Sequence, residues 1–316
     1  MLKAVVLDKD TLGADIDLSP ITELCDTAVY GTTEPCEVAD RVKDAEVIVV
    51  NKLKLNKTNL DSAKALKLIC ITATGYDNID TDYLKSRGVA LCNVAGYSTA
   101  SVAQVSVALV LSLATHLYEY NRFVTSGEYS ASGVANKLTP VYHEIYGKRW
   151  GVVGGGAIGG AVAKVAKALG CDVVVCRNKN EGDYPVVDID TLLKTSDIVS
   201  VHVPLNDSTK NLLSRERIET MKDGALLVNT ARGLVTDEGA VADAVLSGKL
   251  GGFGCDVYGT EPFGKDHPYN KIKDLKNVIL TPHMAWGAYE ARQRCIEEIS
   301  KNITAFLDGD TRNRIV

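Results

Sequence analysis

A chain of 316 residues is long for a single hydrophobic core, so two domains are expected. With 46% hydrophobic and 24% charged residues the composition is that of an ordinary soluble globular protein, and a net charge of −5 argues against broad nucleic-acid binding. The amino-terminal MLKAVVLDKD has too short an apolar run for a signal peptide, and no later run reaches the roughly 18 consecutive apolar residues of a membrane span, so neither a membrane nor a nucleic acid is an expected partner.

Residues 4–7, 28–30, 47–50, 68–71 and 89–92 are short strand-like runs separated by polar or helical segments. Such alternation predicts a parallel sheet covered by helices, here a small α/β domain of its own. Two of its strand ends carry polar residues: Asn51-Lys52 ends one, and Thr72-Ala73-Thr74-Gly75-Tyr76-Asp77 ends another. Ligands of open α/β sheets collect outside the carboxyl ends of strands. The amides of Thr74 and Gly75 are therefore candidates to hold a substrate carboxylate, with Lys52 adding positive charge; a solvated turn is the competing reading.

Residues 98–117, STASVAQVSVALVLSLATHL, begin with a capping serine and are apolar on nearly every face, broken by Gln104, Ser106 and Ser112. One helix buried between domains or subunits is expected there. Residues 121–148 lack a clear period and contain Gly127, Gly133 and Pro140, which predicts a connecting arm with His143 exposed in it.

The stretch 149–176, RWGVVGGGAIGGAVAKVAKALGCDVVVC, reads as strand, helix, strand. Gly154, Gly156 and Gly159 follow the first strand in G-x-G-x-x-G spacing. Gly154 permits the tight turn, Gly156 lets a pyrophosphate approach the backbone, and Gly159 lets helix and strand pack closely. Free amides of the first helical turn, at Ala157 and Ile158, then face the anion, and dinucleotide binding follows. Strand-like runs at 197–203, 225–231, 252–257 and 278–281 complete a six-stranded dinucleotide domain. Residues 287–307 form a last helix with Cys295, Ile299, Ile303 and Phe306 along one stripe. With no strand after it, this helix is expected to return to the first domain.

The carboxyl ends of the later strands carry Arg232, Asp256 and His283, and Glu261 follows in the loop with Pro262. Alone, Arg232 reads as a surface cation, Glu261 as a turn residue and His283 as a capped strand end. Together they are the minimum set for carbonyl reduction by hydride transfer. A histidinium protonates the developing alkoxide, a carboxylate at its second nitrogen favours the charged form, and an arginine offers a fork of donors to an α-keto acid. His202 either lines the cofactor site or packs, and His116 and His267 read as structural. Eight scattered cysteines with no C-x-x-C pair read as reduced thiols of a cytoplasmic protein, and no metal site is expected.

On the motifs TATGYDNID (72–80), VVGGGAIGG (152–160), HVPL (202–205), NTARG (229–233), DVYGTEP (256–262) and TPHMAW (281–286), nearly the whole chain resembles the D-isomer-specific 2-hydroxyacid dehydrogenase family. The resemblance implies a Rossmann-type doubly wound parallel sheet plus a smaller flavodoxin-like α/β substrate domain. The substrate domain would be discontinuous, residues 1–98 and 287–316, with the dinucleotide domain at 99–286 and a homodimer built around 99–140. It makes Arg232 the substrate-binding arginine, Glu261 the partner glutamate and His283 the acid/base, with Lys52, Thr74 and Gly75 on the substrate. Val203, Pro204, Thr209, Thr230, Ala231 and Asp256 would then line the cofactor, Asp256 at the nicotinamide carboxamide. Within the family the likeness is to glycerate dehydrogenases, also called hydroxypyruvate reductases, so hydroxypyruvate and glyoxylate come first and D-lactate-type substrates next.

One departure bears on the cofactor. The second strand of the glycine-rich unit ends Cys176-Arg177-Asn178-Lys179, where NAD-using members carry an aspartate for the ribose. Arg177, with Lys179, suits a ribose 2′-phosphate, so NADP(H) is favoured over NAD(H). The rival from another class is a non-catalytic dinucleotide sensor of the corepressor type. A zinc alcohol dehydrogenase lacks its Cys/His clusters here.

Overall fold

Near-continuous apolar strands need cover on both faces, and in the structure they form two parallel sheets with helices packed against them. The structure is a computed structural model describing residues 1–177 and 182–316, and it divides into two units: Met1–Ser98 with Trp286–Val316, and Thr99–Ala285.

The first unit runs β1 (Leu2–Val6), α1 (Ser19–Thr22), β2 (Cys25–Val29), α2 (Val38–Val42), β3 (Val47–Val50), α3 (Lys57–Leu60), β4 (Leu68–Ile71), α4 (Thr81–Arg87) and β5 (Ala90–Cys92). Its strands lie in the order β2-β1-β3-β4-β5, every pair parallel. Alternate residues serve opposite faces. Val5, Ile48, Val50, Ile69 and Ile71 meet Val38, Val42, Leu60 and Leu84 from α2, α3 and α4. Val6, Val47, Val49, Leu68 and Cys70 meet the carboxy-terminal helix through Cys295, Ile296, Ile299 and Ile303. Each fully buried isoleucine there contributes on the order of 1.5–3 kcal/mol. The strand expected at 28–30 starts earlier, at Cys25, because β2 is an edge strand whose Asp26 and Thr27 hide the apolar pattern.

The second unit runs α5 (Thr99–Ala114), α6 (Leu117–Thr125), α7 (Glu128–Ser132), β6 (Arg149–Val153), α8 (Ala157–Ala168), β7 (Asp172–Cys176), α9 (Ile189–Thr195), β8 (Ile198–Val201), α10 (Arg215–Thr220), β9 (Ala225–Asn229), α11 (Glu238–Leu246), β10 (Leu250–Cys255) and β11 (Val278–Leu280). The last helix, α12 (Tyr289–Leu307), belongs to the first unit. The sheet order is β11-β10-β9-β8-β6-β7, all parallel. Because the chain leaves β6 first for β7 and then for β8 on the other side, a crevice opens at the carboxyl ends of β6 and β8.

The single helix expected over 98–117 is two helices. Thr115 turns its hydroxyl back to the Leu111 carbonyl (2.7 Å), His116 adopts a left-handed backbone (φ 49°), and α6 leaves α5 at 67°. Nor does α5 lack cover of its own. It lies on β9, β10 and α8, and Gly252 and Gly254 of β10 leave room for Leu109 and Leu113 to sit on the strand backbone. The expected arm at 121–148 is partly helical, with α7 set between Gly127 and Gly133, both at positive φ. Among the described residues no single helix is long and apolar enough to cross a membrane.

Candidate active site

The fully buried Trp150, Val152 and Val153 carry β6 into the middle of its sheet, and the chain must turn sharply where it emerges. At Gly154 φ is +101°, and a Cβ would lie 2.7 Å from the His202 carbonyl oxygen and 2.9 Å from Val203. Only glycine fits. Gly159 packs on Gly154 so closely that a Cβ would overlap the Gly154 carbonyl oxygen, which seats α8 against β6. Gly156, the cap of α8, is different: no side chain caps the helix, and a Cβ there would meet nothing within 4 Å. Ala157 and Ile158 begin the helix behind that open space, so their amides and the positive end of the helix face it. An uncapped helix terminus fronted by space fits a diphosphate.

Arg177 follows β7 and lies against the glycine turn, its Cδ 2.7 Å from where a Cβ of Gly155 would be. Its Nε and Nη2 are buried and, among the described residues, have no hydrogen-bond partner. A guanidinium in that state has forgone water without replacement, a cost that an anionic ligand would offset. Lys179, the second cation named for the ribose, lies outside the described residues.

Past β8, the His202 amide donates to Val153 (2.7 Å), while neither ring nitrogen has a partner or solvent contact. Burial pushes this imidazole down to about 3, so it is neutral. Val203 and Pro204 follow. The Thr209 hydroxyl donates to the Pro204 carbonyl (2.6 Å) and accepts from the Asn206 amide (2.8 Å), closing that loop.

Asn229, fully buried at the end of β9, shapes the next turn. Its amide group donates to the Arg232 carbonyl (2.9 Å) and its oxygen accepts from Ala231 (3.0 Å). Ser106 of α5 donates to Val102, so the Thr230 hydroxyl donates to Ser106 (2.7 Å), and one of the polar interruptions of that helix fixes Thr230. Gly233 lies directly on the backbone of Tyr258 and Gly259, so the loops bearing Arg232 and Glu261 are in contact.

After β10, the buried Asp256 carboxylate accepts from the Thr281 hydroxyl (2.6 Å) and the amides of Met284 (2.9 Å) and Ala285 (2.8 Å). These bonds hold the turn in which His283 takes a left-handed backbone, φ 53°, at a cost of about 1–2 kcal/mol for a side chain of this kind. Tyr258 adds a brace, its hydroxyl donating to the Thr281 carbonyl (2.8 Å) and its amide to Glu261 Oε1 (2.9 Å). The other Glu261 oxygen, Oε2, is 2.5 Å from His283 Nδ1. With Nδ1 engaged, Nε2 is the nitrogen left to face a reactant; the two side chains keep 25% and 32% of their surface exposed. Arg232, Glu261 and His283 thus leave the carboxyl ends of the neighbouring strands β9, β10 and β11.

The first unit has its own crevice, at β1 and β3. Asp8, buried there, accepts from the amides of Asn51 (2.9 Å), Lys52 (2.7 Å) and Leu53 (3.3 Å), and burial raises its pKa against those bonds. The loop so fixed carries the exposed Lys52, whose ammonium lies 5.9 Å from the Trp286 ring centre. Thr74 is tied through its hydroxyl to the Val94 carbonyl (2.9 Å) and through its carbonyl to Asn93 (2.8 Å), leaving the Thr74–Gly75 turn on a firm base. Asn78 braces it against Asn51 and Leu53.

A model of the D-isomer specific 2-hydroxyacid dehydrogenase, NAD binding domain, matches residues 107–285, more than half of the chain. The chain belongs to the D-isomer-specific 2-hydroxyacid dehydrogenase family. A hydroxypyruvate reductase of Blautia hydrogenotrophica is 32% identical, covering 99% of both chains. A glycerate dehydrogenase of Methylorubrum extorquens is 34% identical over 98% of each. Among solved structures, a D-lactate dehydrogenase of Aquifex aeolicus complexed with NAD and lactic acid superposes with a TM-score of 0.84, at 30% identity over 98% of this chain and 97% of that one. This family member is accordingly an oxidoreductase of 2-hydroxy acids that uses a nicotinamide dinucleotide, and its glycine turn, uncapped α8 and unpartnered Arg177 fit that group.

Sequence reasoning missed Asp8, Asn78, Ser106, Asn229 and Glu238, all of which hold the dehydrogenase's strand-end loops by hydrogen bonds. Asp8 and Asn229 had a usable signal, since each is a polar residue at the carboxyl end of a buried strand. Among the described residues no group of three or more metal-binding side chains occurs.

Proposed function

We propose that the protein reduces small 2-keto acids, hydroxypyruvate and glyoxylate before pyruvate, to D-2-hydroxy acids with His283 as general acid. The observation that carries this reading is the 2.5 Å contact between Glu261 and His283 Nδ1 on the strand edge that also carries Arg232. Arg232, Thr74, Gly75 and Lys52 are assigned to the substrate carboxylate and carbonyl. When bound, a reduced nicotinamide supplies the hydride for the carbonyl carbon, held by the 154–159 turn, Val203, Pro204, Thr209, Thr230, Ala231 and Asp256. His283 Nε2 gives its proton to the carbonyl oxygen, while Glu261 at Nδ1 fixes the ring and offsets its positive charge. The hydroxypyruvate reductase and the glycerate dehydrogenase among the relatives support placing hydroxypyruvate first.

NADPH is the preferred reductant in this reading, because Arg177 offers buried, unpartnered donors beside the glycine turn. We place the protein in the cytoplasm as a homodimer. In support, all eight cysteines are free thiols, and exposed apolar side chains gather between 117 and 146, among them Leu117, Tyr118, Leu138, Val141 and Tyr146. A panel of hydroxypyruvate, glyoxylate and pyruvate assayed with NADPH and with NADH tests the proposal. Turnover of hydroxypyruvate to D-glycerate, fastest with NADPH, is expected; binding of dinucleotide without turnover of any keto acid overturns it in favour of a sensor. Sedimentation at micromolar concentration tests the dimer, which a single monomer boundary would exclude.

A further inference from the structure

Behind the reactive pair lies a second carboxylate and imidazole. Glu238, the first residue of α11, accepts the Gly259 amide on Oε1 (2.8 Å) and faces His267 Nε2 with Oε2 (3.0 Å). Both side chains are nearly withdrawn from solvent, with 8% of His267 and 14% of Glu238 exposed. The tautomer follows from a third contact. The Tyr269 amide donates to His267 Nδ1 (3.2 Å), so Nδ1 is the acceptor and Nε2 carries the proton that Glu238 receives.

Gly259 and His267 flank Glu261 in sequence, so one carboxylate grips the loop on both sides of the residue that addresses His283. The grip is tight: a Cβ at Gly259 would lie 3.0 Å from Glu238 Oε2 and 2.9 Å from Leu234. The His267 ring is packed by Phe263 (4.6 Å between centres), Tyr269 (4.9 Å) and Tyr258 (6.1 Å). Tyr258, in turn, donates its amide to Glu261 Oε1. The chain of contacts therefore runs from His267 through Glu238 and the 258–259 backbone to Glu261.

We propose that Glu238 and His267 are positioning residues for the reaction, holding the loop so that Glu261 meets His283 Nδ1. This inference rests on the reading of Glu261 as the partner of His283. The two residues are assigned no contact with substrate or dinucleotide, and their effect is transmitted through Glu261 alone. Removing one member leaves the other buried without its partner, and the loop must shift to relieve it. A misplacement of about 1 Å at a reacting group costs on the order of 100-fold in rate.

The test is a double-mutant cycle on kcat for hydroxypyruvate reduction, with dinucleotide affinity measured separately by nicotinamide fluorescence. Glu238→Gln keeps an acceptor for Gly259 but sets an amide NH₂ against the His267 N–H. His267→Phe keeps the ring packing and removes the donor, and it serves should Glu238→Gln fail to fold. Each substitution is expected to lower kcat about tenfold or more while dinucleotide affinity stays within about twofold, and to lower it less than about twofold further when Glu261 is already Gln. A substitution that costs the same factor in both backgrounds, leaves kcat unchanged, or acts through dinucleotide affinity overturns the inference and leaves the role of Glu261 standing. If Glu261→Gln alone leaves kcat unchanged, the reading of Glu261 falls, and the positioning role falls with it.

Discussion

His202 makes the protein's stability depend on pH in a window that can be stated in advance. Its ring nitrogens are buried without partners, and burial pushes the folded imidazole down to about 3 from 6.5. Below pH 6.5 the unfolded chain takes up a proton that the folded chain refuses until near pH 3. The stability linked to His202 is therefore fully present above pH 6.5 and falls as the pH drops through that window. The slope is up to about 1.4 kcal/mol per pH unit, so this one residue costs about 2 kcal/mol at pH 5. His202→Phe fills a similar volume and removes two buried groups that have no partner, so it should be neutral or stabilising at pH 7.5. At pH 5 it should exceed the wild type by about 2 kcal/mol. Urea titrations at pH 5, 6 and 7.5 measure this, followed by the buried Trp150 in a Trp286→Phe background so that the fluorescence reports the second unit. Parallel pH dependence in variant and wild type would refute the argument.

The glycine turn gives a paired prediction. Gly156→Ala meets no protein atom within 4 Å and should leave the melting temperature unchanged while weakening dinucleotide binding, by about tenfold or more if the lost approach removes roughly 1.4 kcal/mol. Gly159→Ala drives a methyl into the Gly154 carbonyl and should destabilise the apoprotein, by about 1–3 kcal/mol; calorimetry of the two variants that showed the reverse assignment would contradict the geometry. Arg177→Ala should lower kcat/KM with NADPH by about tenfold or more and with NADH by less than about twofold, since a charge-assisted bond is worth about 1.5–3 kcal/mol. Equal or better use of NADH by the unaltered protein would sink the cofactor preference.

The two-sheet α/β fold was legible because β3, β4, β6 and β7 are dense in β-branched residues and buried on both faces, while α12 keeps Cys295, Ile299 and Ile303 in register. The break between α5 and α6 was not. Apolar residues resume at Leu117 and Tyr118 directly after the break, and the turn depends on a Thr115 back-bond and a left-handed His116, which short polar interruptions of a helical pattern do not reveal. Motif residues at strand ends, such as Arg232 and His283, stood out because reactive side chains rarely follow buried runs by chance. Their supports did not. Glu238 sits 23 residues before Glu261 in an ordinary helical start, and only the fold brings it under the Gly259 amide. His267, read as structural, pairs with Glu238 for the same reason.

The role of His283 is the claim on which the rest depends, and it is tested most directly by single-turnover reduction of hydroxypyruvate in His283→Ala with saturating dinucleotide. A loss of about 10²–10⁴-fold in the rate of reduction is expected, the usual worth of a positioned general acid, with dinucleotide affinity unchanged. A variant that reduces hydroxypyruvate within a few-fold of the unaltered protein would contradict it.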